Sequence, residues 1–305
     1  MSAPTPSRAF VAQLALVLAA ALWGASFLAT KVGMGDAGPL GFVAMRFAAA
    51  TLVLLLVAPG AIRALTLREL AIGALVAVLA MGGYATQAIA LQTVPSARVA
   101  FLSALYVPLV PILQYALFRE RAAPTIWLGM TCGMVGVAVM SGLSPYSFVL
   151  DGADVLILTS ALAIGLEVVV LGRLVGRGDP MRIALVTVAT TALIATSLAM
   201  LSGERTPMPS PRLVTIVIGF GAATAYIQFA MSWGQRLVSS SRAAMIYSLE
   251  PVFGGLIGHA AGETLRVPDV VGGALIVAGV LIASLPRRML VEAFVRRRRC
   301  TAEAV

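Results

Sequence analysis

Two carboxylates, Glu167 and Glu250, fall inside long apolar runs of this sequence, and each needs a physical reason to be there. A carboxyl taken out of water can bind an amine, pass a proton, or be satisfied by neighbouring donors. Glu250 stands near the middle of its run and precedes Pro251, which lacks a backbone N–H and bends a helix. Spacings of three and four put Tyr247, Glu250, Gly254 and Gly258 on one helical stripe, a face suited to a cavity that takes substrate or a proton. Glu167 shares a face with Ser160 and Ala163 but lies nearer one end of its run, where simply reaching the interface is an equal alternative.

Uncharged polar groups fall in matching places. Ser103, Tyr106, Val110 and Gln114 form a stripe beside Pro108 and Pro111; Tyr84 with Gln87, and Tyr226 with Gln228, add polar tips to apolar bodies. Trp23 sits deep in the first apolar run rather than at an interface. Each alone reads as a hydrogen bond between helices; together they read as the lining of a cavity for a small amphipathic ligand. Arg46, inside the second run, either extends to the nearer interface or pairs internally. Gly254, Gly258 and Gly262, and Gly129 with Gly133, are small-residue faces for close helix packing within one molecule, with a homodimer seam as the alternative.

Enzymatic and cofactor chemistry finds little support. His259 is the only histidine, and no second histidine or cysteine stands at ligand spacing, so neither a metal nor another cofactor is expected. A phosphate-binding GxxxxGK[ST] loop cannot occur, because Lys31 is the only lysine. Gly33 to Asp36 spell the GxGD of intramembrane aspartyl proteases, but that chemistry needs two aspartates sharing a proton, and Asp151, Asp154, Asp179 and Asp269 all flank loops. Cys132 and Cys300 provide no disulfide framework.

The elements that hold these residues follow from composition. With 60% apolar and 11% charged residues, the chain has too little polar surface for a water-soluble fold. Ten runs approach the roughly 20 residues that cross a bilayer core of about 30 Å. They lie near 10–31, 39–59, 70–91, 97–118, 124–142, 153–172, 182–202, 212–233, 242–261 and 268–285. The first is longer than a signal-peptide core and leads into more membrane, so it reads as a spanning helix. Lipid cannot hydrogen-bond an open backbone, so the expected class is an all-α integral membrane protein of ten transmembrane helices. The net charge of +9 is spread between apolar runs, which indicates membrane lipid rather than nucleic acid as its partner. With the N-terminus inside, 16 of the 22 Lys and Arg fall on the cytoplasmic side, five outside, and Arg46 within the membrane. That bias places both termini in the cytoplasm. The basic tail, Arg287 to Arg299, is either a cytoplasmic anchor or a short interfacial helix.

The chain also repeats itself. Arg98 and Arg242 correspond at an offset of 144; Pro108 and Pro251, Glu120 and Glu263, Gly129 and Gly272, and Gly136 and Gly279 correspond at 143. The expected organisation is a cytoplasmic tail 1–9, a five-helix repeat 10–142, a linker 143–152, a second repeat 153–285 and a tail 286–305. Five crossings is an odd number, so the second repeat enters the membrane from the opposite face and the halves are inverted. Transporters recurrently use this construction, with substrate held between the halves. In this register the counterpart of Glu250 is Val107.

The stretches ALWGASFLATKVG (Ala21 to Gly33), PLGFVAMRF (Pro39 to Phe47) and VPSARVAFLSALYVPLVPIL (Val94 to Leu113) resemble the EamA-like branch of the drug/metabolite transporter superfamily. RERAAPTIWLG, SSRAAMIYSLEPVFGGLIG, GETL and VGGALIVAGVLI extend the resemblance over nearly the whole chain. The resemblance implies a bacterial inner-membrane permease, commonly an exporter of amino acids or related small metabolites, with the fifth and tenth helices peripheral. On that reading Glu250 and Glu167 handle a proton or a substrate amine, and Trp23, Tyr106, Tyr226 and Tyr247 form walls. A carrier for a bulkier or cationic cargo such as a drug, vitamin or nucleotide derivative is the alternative; a non-transporting scaffold has no use for two membrane acids.

Overall fold

A computed structural model describes residues 6–94, 96–141, 152–204, 210–260, 262 and 264–285. The linker apart from Gly152, the basic tail with Cys300, Arg205 and Glu263 lie outside the described residues.

The described residues form twelve α-helices and no strand. In order these are α1 (Pro6–Ala37), α2 (Pro39–Val57), α3 (Leu67–Ala90), α4 (Ser96–Ser103), α5 (Tyr106–Phe118), α6 (Pro124–Ser141), α7 (Gly152–Leu174), α8 (Pro180–Leu201), α9 (Pro211–Gly234), α10 (Ser240–Tyr247), α11 (Glu250–Ala260) and α12 (Val267–Ser284). Nine stretches among them are long and apolar enough to cross a membrane. Helix starts follow local chemistry. Proline opens α2, α8, α9 and α12, where its missing N–H costs no helical bond. Thr66, Asp179 and Ser210 accept hydrogen bonds from the first turns of α3, α8 and α9. The first helix runs beyond the expected end near residue 31 as far as Ala37, and the reversal into α2 is made by Gly38 alone, at φ 71°.

The two runs expected as single helices at 97–118 and 242–261 are instead broken. Ala104 and Leu105 separate α4 from α5, and Ser248 and Leu249 separate α10 from α11. Both joints tighten identically: Leu105 N–H bonds Leu102 C=O at 3.2 Å, and Leu249 N–H bonds Ile246 C=O at 3.1 Å. Pro108 and Pro251, in the first turns of α5 and α11, keep these helices from extending backward with full bonding. The breaks are 144 residues apart, so by helix register Glu250 stands where the first half has Tyr106 rather than Val107. Tyr247 and Glu250 accordingly belong to two helices and not to one stripe.

Helix α2 packs against α8 and α9, α3 against α7 and α8, and α1 against α9 and α11. Helices α6 and α12 pair along their glycines. A Cβ on Gly136 would stand 2.5 Å from Gly272 O, and one on Gly279 2.5 Å from Gly129 O, so only glycine permits this approach. Large apolar side chains such as Leu56, Leu67 and Leu201 point outward, more than 80% exposed, as lipid-facing residues do.

Candidate functional site

Glu250 opens α11, and a close backbone crossing fixes its place. A Cβ on Gly24 of α1 would lie 2.5 Å from Glu250 O and 2.7 Å from Gly254 N, so the helices touch through main chain. Around that crossing are two narrow chambers. The first, about 30 Å³, is lined by Trp23, Ser26, Thr30, Phe42, Val43, Arg46, Tyr84, Gln87, Ala88, Leu91 and Glu250. The second, about 20 Å³, is lined by Ser103, Ala104, Tyr106, Val107, Tyr247, Ser248, Glu250 and Pro251. Glu250 belongs to both, and its carboxylate makes no hydrogen bond or ion pair with another described residue.

Arg46 is the partner that sequence reasoning did not place in the cavity. It neither reaches an interface nor pairs with an acid. Its Nε donates to Thr224 Oγ1 at 2.6 Å, and its guanidinium lies 5.7 Å from the Phe47 ring centre and 5.6 Å from that of Tyr84. Those contacts anchor a cation that is only 5% exposed, with its remaining donors beside the first chamber. Trp23 meets Tyr247 edge to face at 5.6 Å, closing the wall between chambers. Ser26, Thr30 and Phe42 were also missed; the central position of Arg46 within its run was the available signal.

The other expected residues divide. Trp23, Tyr84, Gln87, Ser103, Tyr106, Tyr247 and Glu250 line the chambers. Glu167 does not reach an interface, being 0% exposed, and it meets Gln228 away from both chambers. Tyr226 lines neither chamber and donates to Ala15 C=O at 3.3 Å. His259 is exposed on α11, and among the described residues no cluster could hold a metal ion.

Polar contacts join the first half of the chain to the second at both ends of the bundle. At the end where α2 begins, the Glu204 carboxylate accepts from Leu40 N–H at 3.2 Å and Gly41 N–H at 2.8 Å, and Arg98 forms a two-pronged pair with the buried Asp154. At the other end Glu69 accepts from Asp179 N–H at 2.7 Å and lies 3.3 Å from Arg182, while Glu120 meets Arg173 at 3.1 Å. Ser241 donates to Gln114 at 2.6 Å there as well. One helix start in each half is thus capped by a carboxylate of the other half.

Apolar helices long enough to cross a membrane pack around a chamber lined by a guanidinium and a carboxyl group, and comparison with known proteins gives the class, a multi-pass membrane transporter. The EamA-like transporter family matches at residues 11–142 and again at 152–285, and the chain belongs to that family. It is consistent with the drug/metabolite transporter superfamily. An uncharacterized transporter of Archaeoglobus fulgidus is 26% identical over 90% of this chain and 86% of its own. The uncharacterized transporter YyaM of Bacillus subtilis is 26% identical over 86% of this chain and 89% of its own. A solved crystal structure superposes with TM-score 0.75 at 22% identity, over 92% of this chain and 98% of that one, which speaks to fold alone.

Proposed function

We propose that this transporter is a secondary carrier for small zwitterionic metabolites of the amino-acid type, working outward by alternating access. The observation that carries the reading is a guanidinium and a carboxyl group, Arg46 and Glu250, lining one chamber with no salt bridge between them. A zwitterion brings the complementary pair: its carboxylate for Arg46 and its ammonium for Glu250. Trp23, Phe42 and Tyr84 offer apolar and aromatic surface to its side chain, and Gln87 and Ser26 supply adjustable hydrogen bonds.

Counting each broken pair of helices as one crossing gives ten, in two inverted halves 10–142 and 153–285 flanked by the tails 1–9 and 286–305 and joined by the linker 143–152. In support, the end of α8 lies beside the start of α2, so these equivalent helices run antiparallel. Membership of the family supports a plasma-membrane location, the inner membrane of a bacterium, and the arginine bias supports both ends in the cytoplasm. In the conformation described, each chamber has room for about one or two waters, and polar contacts join the halves at both ends. Releasing Glu204 and the Arg98 pair opens one face; releasing Glu69, Glu120 and Gln114 opens the other.

Counterflow into proteoliposomes tests this with labelled amino acids, the corresponding decarboxylated amines and the corresponding deaminated acids. The zwitterions are expected to exchange, and Glu250→Gln is expected to weaken them while sparing the acids. Equal exchange of the amines, unaffected by Arg46→Met, would instead establish a carrier for cations.

A further inference from the structure

One buried acid has no part in the chamber. Glu167 on α7 has no exposed surface, and its single hydrogen bond among the described residues is a long one, Gln228 Nε2 to Glu167 Oε1 at 3.5 Å. Two acceptors of the same pair, Glu167 Oε2 and Gln228 Oε1, have no hydrogen-bond partner among the described residues. A bare carboxylate there would face an amide oxygen with nothing between them to donate, in surroundings where unpaired polar atoms are rare.

The charged and titratable groups on the packed elements offer no counter-ion. Tyr84 of α3, Tyr106 of α5 and Tyr247 of α10 are within electrostatic reach, and all are phenols. Arg46 of α2 is engaged with Thr224 on α9, and Arg182 of α8 with Glu69 of α3. Arg98 of α4 is paired with Asp154 at the far end of α7, and Arg173, at the near end, with Glu120 beyond α5. Arg242 of α10 and Arg177, after α7, form no hydrogen bond or ion pair with Glu167 among the described residues, and Gln228 is its hydrogen-bond partner there. One hydrogen on Glu167 resolves both orphaned acceptors. A carboxylic acid and a primary amide close an eight-membered ring, with O–H of the acid donating to Gln228 Oε1 while Gln228 Nε2 donates to Glu167 Oε1.

We propose that Glu167 and Gln228 form a second binding site whose ligand is a proton, and that this proton, not one on Glu250, couples transport to the gradient. Glu250 is then free to serve the substrate amine. Coupling needs no new covalent chemistry: the proton leaves Glu167 to water when the halves part, and another binds when they close. The coupling half of this inference rests on the carrier reading; the protonation half does not.

Infrared difference spectra in lipid nanodiscs at pH 7, together with flux of labelled leucine, serine and lysine in proteoliposomes, separate the two. Wild type is expected to show a protonated-carboxyl C=O band that moves in D2O, survives in Glu250→Gln and disappears in Glu167→Gln. In Gln228→Leu, which removes the ring partner, the band is expected to shift upward. Glu167→Gln copies the shape of the protonated acid and can pair with Gln228. Its unfolding midpoint in nanodiscs should therefore stay near that of wild type, whereas accumulation driven by an imposed pH gradient is lost. A wild-type spectrum without the band, a band that persists in Glu167→Gln, or gradient-driven accumulation by Glu167→Gln each overturns the proposal. Absence of counterflow by wild type would sink the carrier reading instead, and the spectra would still decide the protonation of Glu167.

Discussion

Gly24 offers the sharpest mechanical test of the site. In Gly24→Ala the new methyl would stand 2.5 Å from Glu250 O, whereas ordinary contact begins at 3.4 Å, so α11 must retreat by about 0.9 Å. Overpacking of this kind costs about 1–3 kcal/mol. On the carrier reading the same retreat draws Glu250 from the ammonium of a bound substrate, and a hydrogen bond of about 2.9 Å stretched by that amount is no longer one. Losing a bond to a charged group is worth about 1.5–3 kcal/mol, which raises the half-saturation concentration by about 10- to 150-fold. Gly35, on the same helix, is the control, because a Cβ there meets nothing within 4 Å. Gly35→Ala should leave affinity alone and stabilise α1 by up to about 1 kcal/mol. Thermal unfolding in nanodiscs and counterflow titration read the two effects separately. Should Gly24→Ala prove as harmless as Gly35→Ala, α1 and α11 do not cross as described and Glu250 is not held against the first chamber.

Three further outcomes are expected. Asp154→Ala removes the two-pronged contact with the partly exposed Arg98 and should cost about 1.5–3 kcal/mol, with Arg98→Met/Asp154→Leu recovering part of it, as unfolding midpoints of the single and double variants would reveal. Glu204→Ala removes the cap on α2 and about 1 kcal/mol, shifting closed against open by about fivefold; faster thiol labelling of a cysteine placed at Ser202 would report it. Gly136→Leu drives a side chain into the α12 backbone and should abolish stable folding, whereas Gly219→Leu, where a Cβ meets nothing, should be silent in expression and size-exclusion profiles.

Much of the architecture was legible because lipid leaves the backbone so few choices. Seven of the expected spanning runs coincide with single helices to within a few residues, and the first differs only in running on to Ala37. The interrupted pairs were less legible. Proline announced a bend near Pro108 and Pro251, but the break falls two or three residues earlier, and those prolines differ by one position in the first turns of α5 and α11. A first turn has no helical bond to lose, so a proline can move there freely; sequence alignment therefore matched Glu250 to Val107 while the helices match it to Tyr106. The pairing of Arg98 with Asp154 and the burial of Glu167 depend on which helices become neighbours, which periodicity within one helix does not encode. Glu69 was readable in part: Thr66 three residues before it is a capping-box signature, although the reach to Asp179 was not.

On the carrier reading, the matched joints at Ala104–Leu105 and Ser248–Leu249 make short levers of α4 and α10. Each has eight residues, a length of about 12 Å at about 1.5 Å per residue. A swing of about 15° at such an elbow carries the far tip about 3 Å by that geometry. A crevice now wide enough for a water could thus admit a small metabolite without any tilt of the glycine-locked α6–α12 girder at the rim. Probes fixed to that girder should stay silent during turnover, and probes on the levers should move.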